Sequence, residues 1–268
     1  PYFWGRKSVV LALDFAYRLI PPRSPGEMLW RLALSRYHRF SLSRASRIAA
    51  ISDATKRDAI RLFGVREDKI STVRLGFNAI CSLPEVRCAA PEKFFLFVGV
   101  LKARKNVHNI IRAFARFHSR HPEYTLLIVG RAAGSYADRL RQLVAAEKLG
   151  ESVQFPGYRS EGELAYLYRR ASALVYPSII EGFGFPVLEA MDCGTPVITS
   201  NISCLPEVAG DAALLVDPHK IGEIAQAMEQ MAVDYNLRRA LIERGHIQAG
   251  KFSWERSARE MLGLIKNV

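Results

Sequence analysis

The chain has 268 residues, of which 49% are apolar and 24% are charged, and its formal net charge is +12. This composition is typical of a globular protein with a sizeable core and excludes a disordered or low-complexity chain. No apolar run approaches the ~18 residues that a membrane-spanning helix needs. The cysteines Cys81, Cys88, Cys193 and Cys204 show neither a C-x-x-C pair nor metal-ligand spacing. We therefore expect four free thiols in a reducing compartment and no metal site.

The basic excess is concentrated near the start of the chain. Residues 1–94 carry 17 Lys and Arg against 8 Asp and Glu, which is +9 of the total +12. Nucleic acid, an anionic membrane surface or a phosphate-bearing substrate could each explain such a region. Residues 27–47 have the pattern of a basic amphipathic helix. Most such helices pack their apolar stripe on their own domain, and we expect the same of this one. Because no nucleic-acid-binding motif accompanies the charge, we expect no nucleic-acid partner.

The first part of the chain alternates between short apolar runs and helical patterns. Strands are predicted at 8–14, 47–52 and 69–73, and helices at 27–47 and 53–63. Residues 81–92 contain two prolines and no hydrophobic period, so they are predicted to be a linker.

The alternation continues after residue 92. Strands are predicted at 94–98, 124–129, 153–155, 173–176, 196–199 and 213–216. Helices are predicted at 106–118, 136–148, 161–170, 186–192, 221–233 and 236–249, with a last amphipathic helix at 254–265. Strands separated by helices indicate an α/β protein with a doubly wound parallel sheet at residues 93–250.

Ligands of such a sheet bind at the carboxyl ends of the strands, where loops lead into helices. The predicted strand-end loops at 99–106, 130–134, 157–158 and 177–186 are rich in glycine, and the first carries three cations. A flexible diphosphate is a ligand that suits this combination. Residues 130–134 lack the G-x-G-x-x-G spacing, so a dinucleotide oxidoreductase is not expected.

The segment 181–194 carries the densest chemistry. Gly182 and Gly184 permit close approach of a ligand to the backbone, and Pro186 suits the first position of a helix. The helix N-terminus then faces a bound phosphate, and the Glu189 carboxylate can accept hydrogen bonds from ribose hydroxyls. Glu181 precedes the helix, where it could face a sugar. A capped helix with two incidental glutamates is the alternative.

Longer stretches resemble a known family. The run YPSIIEGFGFPVLEAMDCGTPVITSNISCLPEVAGDAALLVDP (residues 176–218) resembles the signature of the retaining glycosyltransferase family GT4, glycosyl transferases group 1. FVGVLKARKN (97–106) is similar to the donor-phosphate loop of that family, and residues 49–73 are similar to the end of its first domain. The resemblance implies the GT-B fold, with two Rossmann-like doubly wound domains.

The resemblance also implies catalytic residues. Arg104 and Lys105 match the basic pair of the phosphate loop, with Lys105 the nearer partner of the diphosphate. Glu181 matches the first glutamate of the Glu-x7-Glu motif, beside the transferred sugar. No Asp-x-Asp metal motif lies near these loops, which agrees with transfer without a bound metal or cofactor.

The implied donor-binding residues are Gly99, Arg104, Lys105, Gly130, Gly157, Tyr158, Phe183, Gly184, Phe185, Pro186 and Glu189. Asp14 matches the aspartate of an acceptor-side His-Asp pair, although a carboxylate at a strand end can equally cap a neighbouring loop. Residue 13 is Leu where many members of the family have His.

A Gly-Gly-rich loop that such proteins have early in the first domain is absent, so that domain is expected to be only partly present. The predicted organisation is residues 1–92 as the end of the acceptor domain with the linker, and 93–250 as the donor domain. Residues 251–268 are predicted to form a helix that packs back toward the first domain.

The implied activity is transfer of a hexose, with mannose as the first choice, from a GDP- or UDP-sugar with retention of configuration. The expected acceptor is a glycan or a lipid-linked glycan. The expected location is the cytoplasm, with peripheral contact at the inner face of an anionic membrane. Two alternatives are a non-catalytic nucleotide-sugar-binding scaffold and a nucleotide-sugar epimerase of similar architecture.

Overall fold

A computed structural model describes residues 7–22, 24–131 and 134–268. The chain divides into two compact units. The first comprises Pro1–Gly76, Glu181–Phe183 and Phe252–Val268, and the second comprises Phe77–Ile180 and Gly184–Lys251.

Strands and helices alternate along most of the chain. The first elements are β1 (Val9–Ala12), α1 (Ala16–Leu19), α2 (Pro25–Arg44), β2 (Arg47–Ala50), α3 (Asp53–Phe63), β3 (Ile70–Thr72), β4 (Phe94–Val98), α4 (Val107–His118), β5 (Thr125–Val129) and α5 (Ser135–Ala146). They continue with β6 (Val153–Gly157), α6 (Glu161–Arg170), β7 (Ala173–Tyr176), α7 (Phe185–Asp192), β8 (Val197–Ser200), α8 (Leu205–Ala209), β9 (Leu214–Val216), α9 (Ile221–Val233), α10 (Tyr235–Ala249) and α11 (Trp254–Lys266).

The first unit contains a parallel sheet in the order β1-β2-β3. Its core includes the buried side chains of Phe15, Leu42, Ile48 and Ile70. Local signals fix the helices around it. The Ser52 hydroxyl accepts a hydrogen bond from the third residue of α3, and α3 ends at a left-handed glycine. Such caps satisfy backbone groups that the helix itself leaves unpaired.

The second unit contains a six-stranded parallel sheet in the order β6-β5-β4-β7-β8-β9. All five residues of β4 are buried, as expected for a strand with helices on both faces of its sheet. The chain runs outward from β4 to β6, then returns to the other side of β4 at β7. This reversal of direction between β4 and β7 is the topological switch point of the sheet.

The predicted α/β class with doubly wound parallel sheets is confirmed. Elements α3, β4, α6, β7 and α9 have the predicted bounds at both ends. Helix α7 begins one residue earlier than predicted, at Phe185, so that Pro186 is its second residue. Helices α1 and α8 were not predicted because four or five residues are too few to show a helical period.

The expectation of four free thiols is wrong for Cys81 and Cys193, which form a disulfide with a Cα–Cα distance of 5.3 Å. Among the described residues, Cys88 and Cys204 take part in no disulfide. The bonded cysteines are 112 residues apart in sequence, so no local spacing could show the pair. The Asp192 carboxylate lies within 4.8 Å of both sulfurs, but sulfurs joined to each other do not offer the thiolates that bind metals.

The expectation that α2 packs its apolar stripe on its own domain is also wrong. Only Ser35, Ser41 and Leu42 of this helix are buried, whereas Leu29 is 65% exposed and Leu32 is 50% exposed.

Among the residues that the structure describes, no helix combines the length and apolar character needed to cross a bilayer.

The backbones at the ends of β4 and β5 leave no room for a side chain at Gly130. A Cβ there would lie 2.0 Å from the Gly99 carbonyl oxygen, and φ is +142°. We expect Gly130→Ala to lower the free energy of unfolding by about 3 kcal/mol or more, since both overpacking and backbone strain oppose it. Chemical denaturation measures this change.

The matched control is Gly263→Ala in α11, where no atom lies within 4 Å of the added Cβ. This variant should be as stable as the parent chain or up to about 1 kcal/mol more stable. Equal stability of the two variants would show that the close approach at Gly130 is absent.

Candidate functional site

The four predicted loops begin at one edge of the sheet of the second unit. The strands of its sheet are parallel, so the loops after β4, β5, β6 and β7 leave from the same edge. The β4 and β7 loops are neighbours because they flank the switch point, the place where open α/β sheets bind ligands. Helices α4 and α7 follow these two loops, so the positive ends of two helix dipoles lie at this edge.

Three glycines join the first three strand ends through backbone hydrogen bonds. The Gly99 amide donates to the Val129 carbonyl at 2.9 Å, and the Gly130 amide donates to the Gly157 carbonyl at 2.9 Å. All three glycines have positive φ, which other residues rarely adopt. At these three strand ends, which we call the glycine edge, the backbone carries no side chain that would keep an extended ligand away.

Arg104 and Lys105 occupy a short 3-10 turn between β4 and α4. The Arg104 guanidinium donates to the Ile180 carbonyl at 2.8 Å, and the Ile179 amide donates to the Arg104 carbonyl at 2.9 Å. The Lys105 ammonium donates to the Tyr176 hydroxyl and lies 4.8 Å from the centre of that ring. Both cations are thus held against the end of β7, on the other side of the switch point.

Tyr176 is itself fixed by the core. Its side chain is fully buried, and its ring stacks on Phe97 of β4 at a centroid distance of 5.8 Å. Lys105 is therefore positioned by an aromatic pair from the two strands at the switch point.

Asn106 fixes the same turn, a role that the sequence did not reveal. It is fully buried and has a left-handed backbone with φ of 62°. Its side-chain amide donates to the Pro177 carbonyl at 3.0 Å and the Pro218 carbonyl at 2.7 Å. These partners follow β7 and β9, so Asn106 connects the cationic turn to two other strand ends. A local signal for this role would be the asparagine itself, which tolerates left-handed backbone better than most residues.

Helix α7 begins after Gly184, which has φ of 107° and serves as the N-cap without a capping side chain. Phe185 and Pro186 form the first two helical positions, both partly exposed. No side chain caps the start of α7, and the glycine before it leaves room for a ligand. The first backbone N–H groups of the helix can therefore bind an anion.

Glu189 lies one turn inside α7 and accepts a hydrogen bond from the Tyr168 hydroxyl at 3.0 Å. Burial raises the pKa of Glu189, the Tyr168 hydrogen bond opposes this effect, and the negative charge of Glu161 adds to it. Burial together with the charge of Glu189 also raises the pKa of Tyr168, so that hydroxyl stays protonated. Glu189 is therefore a partly desolvated carboxylate that already accepts one hydrogen bond, from the Tyr168 hydroxyl.

Tyr158 follows β6 and is 66% exposed. The Arg131 guanidinium lies 5.6 Å from the centre of its ring, within the range of a cation–π interaction. The predicted loop at 130–134 includes residues 132 and 133, which lie outside the described residues.

Three predicted site residues belong to the first unit. Glu181 is 8% exposed, and Phe183 is buried with its ring 5.7 Å from Phe252. A Cβ at Gly182 would lie 2.4 Å from the Leu13 carbonyl oxygen, so this segment passes close to the end of β1. Asp14 accepts a hydrogen bond from the Ala16 amide at 2.9 Å, which is the loop-capping role that its strand-end position also allowed.

Comparison with known proteins identifies the family of this chain. A family profile described as glycosyl transferases group 1 matches residues 85–248, more than half of the chain and nearly all of the second unit. The chain belongs to this family. The resemblance inferred from the 176–218 motif is thereby confirmed.

A curated relative supports the same assignment. The O-antigen chain mannosyltransferase B of Escherichia coli is 35% identical over 236 residues, covering 84% of this chain and 62% of the relative. The O-antigen chain mannosyltransferase RfbU of Salmonella typhimurium is 36% identical over 187 residues, 68% of this chain and 51% of that protein. This chain therefore spans less than two thirds of the length of either relative.

A solved structure shows the fold. Alr3699/HepE of Anabaena, determined in complex with UDP and glucose, matches 98% of this chain and 72% of its own length, with a TM-score of 0.82 and 20% identity. The likeness confirms the GT-B type of fold.

Proposed function

We propose that this chain carries the donor-binding half of a hexosyltransferase, which moves a sugar from a nucleoside diphosphate to a glycan or lipid-linked acceptor with retention of configuration. One observation carries the proposal most directly. Two cations, Arg104 and Lys105, and the N-termini of α4 and α7 meet at the switch point of the second unit. Cations and helix N-termini both favour phosphate groups.

The proposed chemistry follows from where charge develops. As the bond between the sugar and the diphosphate breaks, negative charge accumulates on the leaving phosphate oxygens. Arg104 and Lys105 stabilise that charge in place, and because they are already held by Ile180 and Tyr176 they need little reorganisation. In this proposal the two cations supply the positive charge, and no metal is required for transfer. Activity unchanged by a chelator would support this part.

The remaining donor contacts are assigned by position. The glycine edge of Gly99, Gly130 and Gly157 accommodates the nucleotide, Tyr158 lies beside its base, and Glu189 accepts hydrogen bonds from the ribose. Gly184, Phe185 and Pro186, at the start of α7, contact the sugar and phosphate. GDP-mannose is the first choice of donor because the Escherichia coli and Salmonella typhimurium relatives are named mannosyltransferases. UDP-glucose is the second choice.

The proposal is tested by incubating the chain with GDP-mannose, GDP-glucose, UDP-glucose and UDP-N-acetylglucosamine, with and without a lipid-linked or soluble glycan acceptor. Acceptor-dependent release of nucleoside diphosphate supports transfer. Conversion of one nucleotide sugar into its epimer, without release, would support the epimerase alternative. Tight binding of nucleoside diphosphate without turnover under any condition would support the scaffold alternative.

The ionisation of Glu189 gives a pH-dependent prediction. Since the pKa of Glu189 is raised above 4.5, it takes up a proton at a higher pH than an ordinary glutamate. Ribose hydroxyls donate to the carboxylate form, so the affinity for nucleoside diphosphate should begin to fall at a correspondingly higher pH as the solution is acidified. Calorimetric titration of GDP and UDP between pH 7 and pH 4 measures this fall.

Two variants serve as controls for this prediction. Glu189→Gln should bind more weakly at pH 7 and lose the pH dependence. Its melting temperature at pH 7 should be equal to that of the parent chain or higher. The reason is that a carboxylate whose pKa is raised by folding lowers the free energy of unfolding at every pH above its pKa in the unfolded chain. Glu161→Gln should shift the fall in affinity to lower pH, since the charge of Glu161 contributes to the raised pKa. An unchanged profile in both variants would refute the ribose role of Glu189.

A further inference from the structure

A group of metal-binding side chains lies at the C-terminal end of α7, in the second unit. The sulfurs of Cys81 and Cys193 and a carboxylate oxygen of Asp192 lie within 4.8 Å of one another. The sequence shows no metal-ligand spacing here because Cys81 and Cys193 are 112 residues apart. Helix α7 has eight residues and is about 12 Å long, so this group and the proposed phosphate site lie at its opposite ends.

Contacts other than the disulfide hold Cys81 in place. Its carbonyl accepts a hydrogen bond from the Arg169 guanidinium, which also pairs with Glu85. The Val86 amide donates to the Gly162 carbonyl at 3.1 Å. Both partners, Arg169 and Gly162, belong to α6. The segment that carries Cys81 is therefore held along α6 whether the disulfide is closed or open.

Cys193 is held by the end of α7 and is 8% exposed. Its amide donates to the Glu189 carbonyl at 3.1 Å, and the next amide, of Gly194, donates to the Met191 carbonyl at 3.1 Å. Since neither cysteine depends on the S–S bond alone for its position, reduction should leave two thiols side by side. They would lie next to the Asp192 carboxylate, which is half-buried.

A fourth side chain suited to a metal is His246 on α10, which packs against α7. Its Nε2 atom lies 3.5 Å from the place that a Cβ at Gly194 would take, and Gly194 directly follows Cys193. Burial raises the pKa of Asp192, whereas the positive charges of His246 and Arg169 oppose this effect. The His246 imidazole and the Asp192 carboxylate are thus near neighbours.

We propose that the reduced chain binds one Zn²⁺ ion at this place, which we call the α7 zinc site. Cys81 and Cys193 supply two thiolates. Asp192 supplies a carboxylate oxygen, and His246 supplies an imidazole nitrogen. Thiolates and imidazole are the ligands that zinc prefers, and four protein ligands are typical of a structural zinc site.

The site forms in two balanced steps. A dithiol reductant first breaks the S–S bond: it passes two electrons and two protons to the sulfurs and becomes a disulfide itself. Zn²⁺ then replaces the protons of the two thiols, so two protons are released to solvent for each ion bound. The closed disulfide offers no thiolate, so the oxidised chain lacks the site.

The geometry and the charge of the site both suit zinc. Zn–S bonds of about 2.3 Å in a tetrahedral site place the two sulfurs about 3.8 Å apart. The Cα atoms of Cys81 and Cys193 are 5.3 Å apart, which allows this separation after rotation of the side chains. Two thiolates and a carboxylate exceed the charge of Zn²⁺ by one, and Arg169 lies close enough to offset it.

The α7 zinc site is independent of the proposed sugar transfer. It lies at the end of α7 away from Arg104 and Lys105, and the ion takes no part in the proposed reaction. Its expected effect is to connect three segments of the second unit: α7, α10 and the segment that carries Cys81. Binding to the folded chain alone should therefore raise the melting temperature of the reduced chain.

The test compares the reduced and the oxidised full chain. The chain is reduced with dithiothreitol, freed of the reductant without oxygen, and titrated with Zn²⁺ in competition with a chromophoric chelator. We expect one Zn²⁺ per reduced chain, bound at least about 100-fold more tightly than by the oxidised chain. Co²⁺ in place of Zn²⁺ should give the near-ultraviolet absorption of cobalt–thiolate bonds in the reduced chain only.

Matched variants locate the ligands. Cys81→Ser should weaken Zn²⁺ binding about 100-fold, and Asp192→Asn and His246→Gln should each weaken it at least about tenfold, since even the loss of outer partners of a metal site has effects of this size. The controls are Cys88→Ser and the exposed His219→Gln, which should bind as the parent chain does. Cys81 is partly exposed, so reduced Cys81→Ser without zinc should melt as the reduced parent does.

Three results would overturn the proposal. One is equal Zn²⁺ affinity of the reduced and oxidised chains, or no binding by either. Another is an equal loss in Cys81→Ser and its control Cys88→Ser. The third is full affinity and an unchanged cobalt spectrum in both Asp192→Asn and His246→Gln, which would show that the thiols bind the ion without the other two ligands. None of these results bears on binding of nucleoside diphosphate, which is measured separately.

Discussion

Replacing Lys105 with alanine is expected to weaken binding of nucleoside diphosphate about 30-fold, and to lower the rate of transfer by a factor of about 10² to 10³. The rate should suffer more than the affinity because negative charge on the diphosphate increases as the sugar leaves. Lys105 is partly buried against Tyr176, where solvent screens its charge less than at an open surface. Calorimetry with GDP and UDP measures the affinity, and release of nucleoside diphosphate measures the rate.

Lys102 provides the matched control, since it is an exposed lysine three residues earlier in the same loop. Lys102→Ala should change affinity and rate by no more than about twofold, in keeping with a solvated surface charge. Tyr176→Phe keeps the ring but removes the hydroxyl that accepts from Lys105, and should have an intermediate effect of about fivefold. If Lys105→Ala and Lys102→Ala behave alike, Lys105 is a surface cation and the site assignment fails.

Local patterns predict where the candidate residues lie in the fold, whereas their roles in a donor site stay a prediction. A glycine, a proline and a carboxylate at fixed distances along the chain place Gly184, Pro186 and Glu189 at the start of one helix. Arg104 and Lys105 follow a buried strand, and parallel strands place such loops along one edge. The same reasoning predicted the doubly wound sheet, whose strands are short, almost wholly apolar and separated by helices.

Features that depend on distant pairs could not be predicted in this way. Asn106 donates to carbonyls 71 and 112 residues away, and the Cys81–Cys193 disulfide closes a separation of 112 residues. The hydrogen bond from Tyr168 to Glu189 joins α6 to α7. In each case the chemistry of one residue is fixed by a partner that only the folded sheet brings near. A single sequence does not contain that information in any local spacing.

The exposure of the large apolar side chains of α2 was mispredicted for a different reason. The pattern of residues 27–47 correctly indicated a helix, which runs from Pro25 to Arg44, but a pattern does not specify which side of a helix is buried. An apolar stripe usually packs on the core of its own domain, and this requires the apolar face of the helix to be its buried face. In α2 the buried positions are Ser35, Ser41 and Leu42, so two of the three buried residues are polar and most of the large apolar side chains face outward.

Replacing Glu181 with alanine is expected to abolish transfer, with a loss of at least about 10² in rate, while the affinity for nucleoside diphosphate changes less than threefold. The two effects should separate because the proposed partner of Glu181 is the transferred sugar rather than the diphosphate. Glu181 is 8% exposed, and a carboxylate is rarely buried to that degree without a specific function or partner. Single-turnover measurement with saturating donor gives the rate, and titration with GDP and UDP gives the affinity.

Glu229→Ala separates this expectation from a general effect of losing a glutamate. The Glu229 side chain on α9 pairs with Arg120 and His121, just beyond the C-terminal end of α4. That end lies at the opposite edge of the sheet from the turn that carries Lys105, since α4 begins at that turn. Glu229→Ala should therefore lower the melting temperature but leave the rate of transfer per folded molecule unchanged. Transfer that survives in Glu181→Ala, at a temperature where the variant is fully folded, would remove Glu181 from the reaction. It would leave the diphosphate site at Arg104 and Lys105 to be judged by its own variants.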